Sequence, residues 1–307
     1  MRSTVRFVLI GLLLLSGTPV FALPPLVDAA WVKANLNDPN VVFLDIQDAK
    51  QYQRFHLPGA VNAPFGRWRT DGKRGGVPSV MPPVDRLEKM LGGLGIGNDD
   101  EVVVVATGRG AGDLSASARV FWTLKVLGHD KVAVLDGGLV GYAKAEQGKN
   151  PLEKGSHRRE PQVFKAKVDP SFLADVETVK MLADQHAELV DARSVGEYMG
   201  IYAGGAEERA GTIPGSKNLP YDWLTENGSG QLRDLAALKR LYGAMGVGEQ
   251  GRQVHFCHTG NRASLTWFVS YALLGNDEAQ LYDASMIEWA RRKDLPVETK
   301  IRLCERC

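Results

Sequence analysis

Cysteine is nearly missing from this chain: three of 307 residues, Cys257, Cys304 and Cys307. So few thiols exclude a small scaffold stapled by several disulfides. An excess of one charge is missing too. Thirty-seven Lys and Arg against 36 Asp and Glu leave a formal charge of +1, which supplies no pull toward nucleic acid or an anionic membrane. Beyond residue 22 there is no apolar run of the roughly 20 residues that a membrane span takes. A Gly-rich stretch, Gly108-Arg109-Gly110-Ala111-Gly112, lacks the Lys of a P-loop and the full dinucleotide fingerprint, so nucleotide binding is not expected. No residue pattern calls for a metal or an organic cofactor.

What remains is ordinary globular composition, 44% hydrophobic and 24% charged, in a length that favours two domains. Six Trp, ten Phe and eight Tyr suffice for two cores. Residues 1–22 stand apart. Arg2 and Arg6 make a basic start, residues 7–15 are apolar but for Gly11, Ser16-Gly17-Thr18-Pro19 breaks the run, and Val20-Phe21-Ala22 fits a small-residue cleavage site. This is the pattern of a Sec-type signal peptide. An uncleaved anchor is the alternative, for which the run is short. The expected mature chain starts near Leu23 and is periplasmic or secreted, free of the membrane after cleavage. Cysteines pair in oxidising compartments. The tail at 301–307 ends in Cys304-Glu305-Arg306-Cys307, which reads as a disulfide or a disordered end, as a redox pair, or as a metal site, the last poorly served by two ligands. Cys257 is left as the odd thiol.

Strand-like and helical segments alternate through the rest, which predicts an α/β fold, a mainly parallel sheet flanked by helices. Helical stretches are expected at 27–36, 49–55, 84–91 and 115–127. Strands are expected at 41–44, 101–105 and 132–135, with a turn and short strand at 56–62 and a loop at 65–82. The same order then recurs. Glu188-Leu189-Val190-Asp191 matches Val42-Phe43-Leu44-Asp45, Glu197-Tyr198 matches Gln51-Tyr52, and residues 211–218 match 55–62. Leu281-Tyr282-Asp283 matches Val134-Leu135-Asp136. Asp45 and Asp191 lie 146 residues apart, Asp136 and Asp283 147 apart. A period that long means two domains of one fold rather than a solenoid. The expected division is 24–145, a polar linker at 146–168, and 169–300.

The halves differ where chemistry would sit. Phe256-Cys257-His258-Thr259-Gly260-Asn261-Arg262-Ala263-Ser264 joins a strand-like run at 253–256 to a helical one at 263–274. The matching Ala106-Thr107-Gly108-Arg109-Gly110 has no thiol, so the first half reads as a non-catalytic copy that serves as a partner surface. A strand-to-helix loop aims backbone N–H groups inward at the positive end of the helix, a setting for an anion, and the thiolate is the reactive form of cysteine. Cys257 is therefore the expected nucleophile. Its alternative, an ordinary buried cysteine, fits poorly with the polar residues around it. Arg262 at a helix N-terminus is unfavourable on dipole grounds; anion binding would explain it, a solvated first turn would not. Thr259 either donates its hydroxyl to the bound anion or supports the turn. Gly260 is expected to take a positive φ. His258 is a candidate base, although adjacent residues in a tight loop point apart and exposure is the favoured reading. Asp191, at a strand end, reads as structural. Glu207, Glu208 and Arg209 lie in a loop that either covers the site or is a solvated charge cluster.

With Leu189-Val190-Asp191-Ala192-Arg193, residues 211–218, Cys257 to Arg262 and Leu135-Asp136-Gly137-Gly138, the chain resembles a tandem-domain rhodanese of exported bacterial type, in the thiosulfate/3-mercaptopyruvate sulfurtransferase family. The resemblance covers about residues 26–292. It implies two rhodanese-like domains and a ping-pong reaction through a Cys257 persulfide, with no cofactor. It implies that Arg193, the Arg of the Val-Asp-x-Arg motif, binds the donor; on residue spacing alone Arg193 would pair with Glu197. The substrate-binding set is then Arg193, Arg262, Thr259, His258, Gly260 and Asn261. The resembled mitochondrial thiosulfate enzymes carry Lys at the position of Thr259 and mercaptopyruvate enzymes carry Ser; the loop here is similar to bacterial ones with Thr, which favours thiosulfate. Cyanide or a thiol, including that of a thioredoxin-like protein, is the expected acceptor, and a monomer the expected state. Two other classes are weighed: a sulfur-carrier protein without catalysis, and a phosphatase or arsenate reductase. The latter needs Cys-x5-Arg, whereas Cys257 to Arg262 is one residue shorter.

Overall fold

The computed structural model describes residues 23–72, 77–184, 187–205 and 207–301. The signal-peptide stretch and both tail cysteines lie outside the described residues. The first domain runs β1 (Leu26–Val27), α1 (Ala29–Asn35), β2 (Val41–Asp45), α2 (Ala49–Arg54), β3 (Val61–Asn62), α3 (Val84–Gly93), β4 (Glu101–Val105), α4 (Ala111–Val126), β5 (Val132–Leu135) and α5 (Gly138–Gly148). The second runs β6 (Leu173–Ala174), α6 (Val176–Asp184), β7 (Glu188–Asp191), α7 (Val195–Met199), β8 (Lys217–Asn218), α8 (Leu235–Ala244), β9 (Gln253–Phe256), α9 (Asn261–Phe268), β10 (Ala279–Tyr282) and α10 (Ser285–Trp289).

Unbroken apolar strands such as Val102 to Val105 have no polar side to turn to water, so each sheet must be covered on both faces. The first sheet has the order β1-β5-β4-β2-β3 and the second β6-β10-β9-β7-β8, and every pairing is parallel. Leu44 pairs with Val104 in one sheet, Val190 with His255 in the other. In both, the chain leaves a central strand toward one edge and returns on its other side. That switch point falls between β2 and β4, and between β7 and β9, and ligands gather at the carboxyl ends of strands there.

Several boundaries move for local reasons. The expected helix at 27–36 begins at Ala29 because Asp28 caps it, its carboxylate accepting from Trp31 N–H at 2.8 Å; Leu26 and Val27 join the sheet instead. The helix expected from 115 starts at Ala111. The helix after Cys257 is α-helical only to Phe268, then widens to a π-turn over Val269–Leu273. The loop at 65–82 holds a 3-10 turn, Phe65–Trp68, anchored by fully buried Trp68. The linker is strapped to the first domain. Glu153 bridges His56, and the amides of Gln162, Lys167 and Asp169 donate to the carbonyls of Gly92, Leu127 and Val126, with Phe164 buried beneath.

The domains share one apolar cluster. Its centre is the contact of α4 with α9, where Phe121 meets Phe268 edge-on, ring centroids 4.9 Å apart. Each such ring stabilises the interface by about 1.5–3 kcal/mol. The matched aspartates hold loops of the opposite domain: Asp283 accepts from Met81 N–H at 2.7 Å, Asp136 from Leu232 N–H at 2.9 Å. Each domain thus holds a loop of the other at the carboxyl end of its β5 or β10 strand. Among the described residues no helix is long and apolar enough to cross a membrane.

Candidate active site

β9 delivers Cys257 to the switch point of the second sheet. The loop from Cys257 to Gly260 is closed by one hydroxyl: Ser285 Oγ accepts from Cys257 N–H and Gly260 N–H, each at 3.1 Å. The first turn of α10 grips the loop from outside, Met286 and Ile287 N–H donating to the carbonyls of Cys257 and His258. Gly260 takes φ +73°, and a Cβ there would stand 2.6 Å from the carbonyl oxygen of Asp283. Among the described residues no acceptor meets the backbone N–H of His258, Thr259, Asn261, Arg262 or Ala263. These amides belong to the loop and to the unsatisfied first turn of α9. Cys257 is a free cysteine with no exposed surface.

The charged candidates divide differently from expectation. Arg193 does not meet Glu197. It is 2% exposed, and its Nε and Nη2 grip both oxygens of Asp191, at 2.6 Å for the shortest contact, while Nη2 also donates to Gly211 O. The structure places it as a tie between the end of β7 and the 211–218 segment, with its charge balanced. Arg262 makes a two-pronged pair with Glu197, at 2.7 and 2.8 Å. Glu197 is fixed in turn by Ser194, the cap of α7. Burial pushes the Glu197 carboxyl up, but the hydrogen bonds and charge of Arg262 outweigh it and hold it down at about 2.

His258 Nε2 lies 3.0 Å from Glu208, which also meets Arg291. The Glu208 side chain is 3% exposed, and Arg209 donates to the carbonyls of Ala290 and Arg292. Of the two readings of this loop, covering the His258 side of the site is the one observed. Asn261 is not gathered with the others. It lines a cavity of about 590 Å³ over the matching loop of the first domain, with Gln47, Gln51 and Thr107. Thr259 Oγ1 accepts a hydrogen bond from Arg69 of the first domain at 3.0 Å.

Arg69, Arg119 and Ser285 went unread in the sequence. Arg119 is fully buried in α4, paired with Asp283 and set 4.7 Å from the ring centroid of Trp122; its Nη1 would lie 2.5 Å from a Cβ at Gly260. A lone arginine within the apolar run Ala118-Arg119-Val120-Phe121-Trp122 was the available signal. In the first domain Gln47 stands where Arg193 does, and among the described residues no guanidinium meets Asp45. Burial there outweighs the hydrogen bonds from Gln47 and Asn62 and raises Asp45 to about 7. The first copy has neither a cation at this position nor the thiol. Among the described residues no group of three or more His, Cys, Asp or Glu is placed to hold a metal.

Two stretches, 28–145 and 175–292, each match the model of the Rhodanese-like domain. The chain belongs to the rhodanese family. Among its relatives is the protein named "Putative thiosulfate sulfurtransferase 1" of Mycobacterium bovis, 30% identical over 287 residues, covering 89% of this chain and 97% of the relative. One of the same name class in Synechococcus elongatus is 30% identical over 278 residues, 88% and 83% of the two chains. The rhodanese fold is shared with SseA of Escherichia coli, described with the 3-mercaptopyruvate sulfotransferases, at TM-score 0.74, 24% identity, and 85% and 98% coverage. It is shared also with Tum1 of Saccharomyces cerevisiae, at TM-score 0.70, 21% identity, and 92% and 99% coverage. This places the chain among sulfurtransferases with two tandem rhodanese domains.

The Arg262–Glu197 pair gives this rhodanese a pH signature. A carboxyl lowered from 4.5 to about 2 on folding adds stability that is complete above the unfolded value and lost as pH falls toward 2. The shift corresponds to about 3 kcal/mol. Glu197→Gln is expected to lower the unfolding free energy measured by urea denaturation at pH 7 by that order. The gap from wild type should narrow steadily between pH 4.5 and 2; a gap that stays constant would show that the pair is not responsible.

Proposed function

We propose that the chain moves sulfane sulfur from thiosulfate, or a similar small sulfur anion, to a thiophilic acceptor through a persulfide on Cys257. The observation that carries this reading is a free, buried thiol at the head of a loop and helix start that leave five backbone N–H groups, among the described residues, without acceptors. In the first step the thiolate attacks the outer sulfur of the donor. A Cys257 S–S bond forms, the donor S–S bond breaks, and its electron pair leaves with sulfite. In the second step cyanide or a thiolate attacks the outer persulfide sulfur, and Cys257 departs as the thiolate. Charge balances in both steps and no external oxidant or reductant is needed. The free amides and the helix N-terminus favour the persulfide anion, which persists between the two steps.

The names of the relatives support thiosulfate over 3-mercaptopyruvate as donor. A phosphatase reading is disfavoured because Arg262 is held by Glu197 rather than free for an oxyanion. Burial of Cys257 suits a small acceptor or a thiol on a narrow protein segment, such as that of a thioredoxin-like partner. Export, resting on residues 1–22, and action as a monomer belong to the same proposal.

The test is steady-state thiocyanate formation from thiosulfate and cyanide by the purified mature chain, with p-nitrophenyl phosphate assayed alongside. Turnover in the first assay and none in the second is expected. Phosphate release without thiocyanate would reject the proposal.

A further inference from the structure

Of the four candidate arginines for this site, three are already answered by a carboxylate: Arg193 by Asp191, Arg262 by Glu197 and Arg119 by Asp283. Arg69 is the fourth. Among the described residues no carboxylate lies within ion-pair distance of it. Its polar contacts are Ser79 O from Nε at 3.4 Å and Thr259 Oγ1 from Nη2 at 3.0 Å, and its guanidinium carbon lies 5.4 Å from the ring centroid of Phe65. We infer that Arg69, supplied by the first domain, binds the anionic end of the sulfur donor at the Cys257 loop. The inference rests on the sulfurtransferase reading above and names the group that sets donor specificity within it.

The physical reason is the state of the site without donor. Arg69 is half-buried, and Ser79 O, its partner, also accepts from Arg119 Nη2. Burial first, and then the nearby positive charge of Arg119, push Arg69 below the ordinary arginine range, against a smaller opposing pull from Cys257 and the Asp283 carboxylate. A cation partly removed from water and facing another cation is unfavourable until a counter-ion arrives. Thr259 adds direction. Its hydroxyl oxygen accepts from Arg69, and among the described residues its own proton has no acceptor, so it can donate to the same anion. Thr259 is two residues from Cys257, which puts the cation where a donor held for attack on its outer sulfur would carry its sulfonate oxygens. As the donor S–S bond breaks, the charge that collects on sulfite develops beside Arg69. The paired arginines, by contrast, would have to abandon a carboxylate to reach the donor.

The experiment compares wild type, Arg69→Gln and Arg69→Lys with two donors, thiosulfate (a dianion) and methanethiosulfonate (a monoanion with a methyl group in place of one oxygen), reading kcat and KM from thiocyanate formation. Arg69→Gln is expected to raise KM for thiosulfate about 10- to 100-fold, the range for losing a hydrogen bond to a charged group. KM for methanethiosulfonate should change less than about fivefold, and Arg69→Lys should recover part of the thiosulfate loss. A thiosulfate KM within twofold of wild type in both variants overturns the inference. An equal loss of kcat with both donors, unrescued by Lys, also overturns it, because that is the signature of loop shaping. If Arg69→Gln does not fold, the Lys variant decides alone: a donor-selective KM rise supports the inference and no rise overturns it. Failure of wild type with both donors would reject the sulfurtransferase reading itself, and this inference with it.

Discussion

Serine at position 257 is expected to lower thiocyanate formation at least about a thousandfold, the scale on which removal of a covalent nucleophile acts. The change replaces one atom. A hydroxyl is not ionised near neutral pH and is a poor nucleophile toward sulfur, whereas a thiolate is soft and forms the S–S bond readily. The fold should tolerate the change. Cys257 sits among buried residues, but the free amides of the loop can donate to a serine oxygen, so the stability change should stay within about 2 kcal/mol. A thermal midpoint near that of wild type with activity above one tenth would remove Cys257 from the mechanism.

Gly260→Ala should produce the second-largest loss, through packing rather than chemistry. The residue has φ +73°, and an added Cβ would lie 2.6 Å from Asp283 O and 2.5 Å from Arg119 Nη1. The left-handed conformation costs a non-glycine residue about 1–2 kcal/mol. The Asp283 carbonyl is backbone at the end of β10, so it cannot swing aside as a flexible side chain would. The loop must move instead, carrying Cys257 N–H and Gly260 N–H away from Ser285 Oγ and disturbing the Arg119–Asp283 pair across the domain interface. Destabilisation of about 3 kcal/mol and a fall in activity of about a hundredfold are expected. Urea denaturation and initial rates check both; a variant with wild-type rates would show that the loop geometry is not required.

The two sheets were legible because their strands are continuous apolar runs, and because the repeat puts Asp45 and Asp191, then Asp136 and Asp283, in register. The Cys257 loop was legible because strand, thiol, glycine and helix follow one another directly. The partners of its charged residues were not. On spacing alone Arg193 was expected to pair with Glu197 four residues on, but Glu197 was drawn across the loop to Arg262, 65 residues away, and Arg193 pairs with Asp191. Arg69 lies 190 residues from Thr259 in sequence, in a loop with no periodicity, and only the packing of α4 on α9 brings them together. The first domain was read as a partner surface on the absence of a thiol. The structure gives that surface content: it sends Arg69 and Arg119 toward the loop, and it carries a neutral Gln47 at the position of Arg193.

Persulfide formation tests the account most directly. Purified mature protein, with Cys304 and Cys307 replaced by serine, is treated with thiosulfate and measured by intact and peptide mass spectrometry, then measured again after cyanide. A gain of about 32 Da, one sulfur atom, is expected on the peptide carrying Cys257, removed by cyanide with release of an equal amount of thiocyanate. Thiocyanate formed in the absence of any Cys257 adduct, or an adduct that cyanide leaves in place, would contradict it.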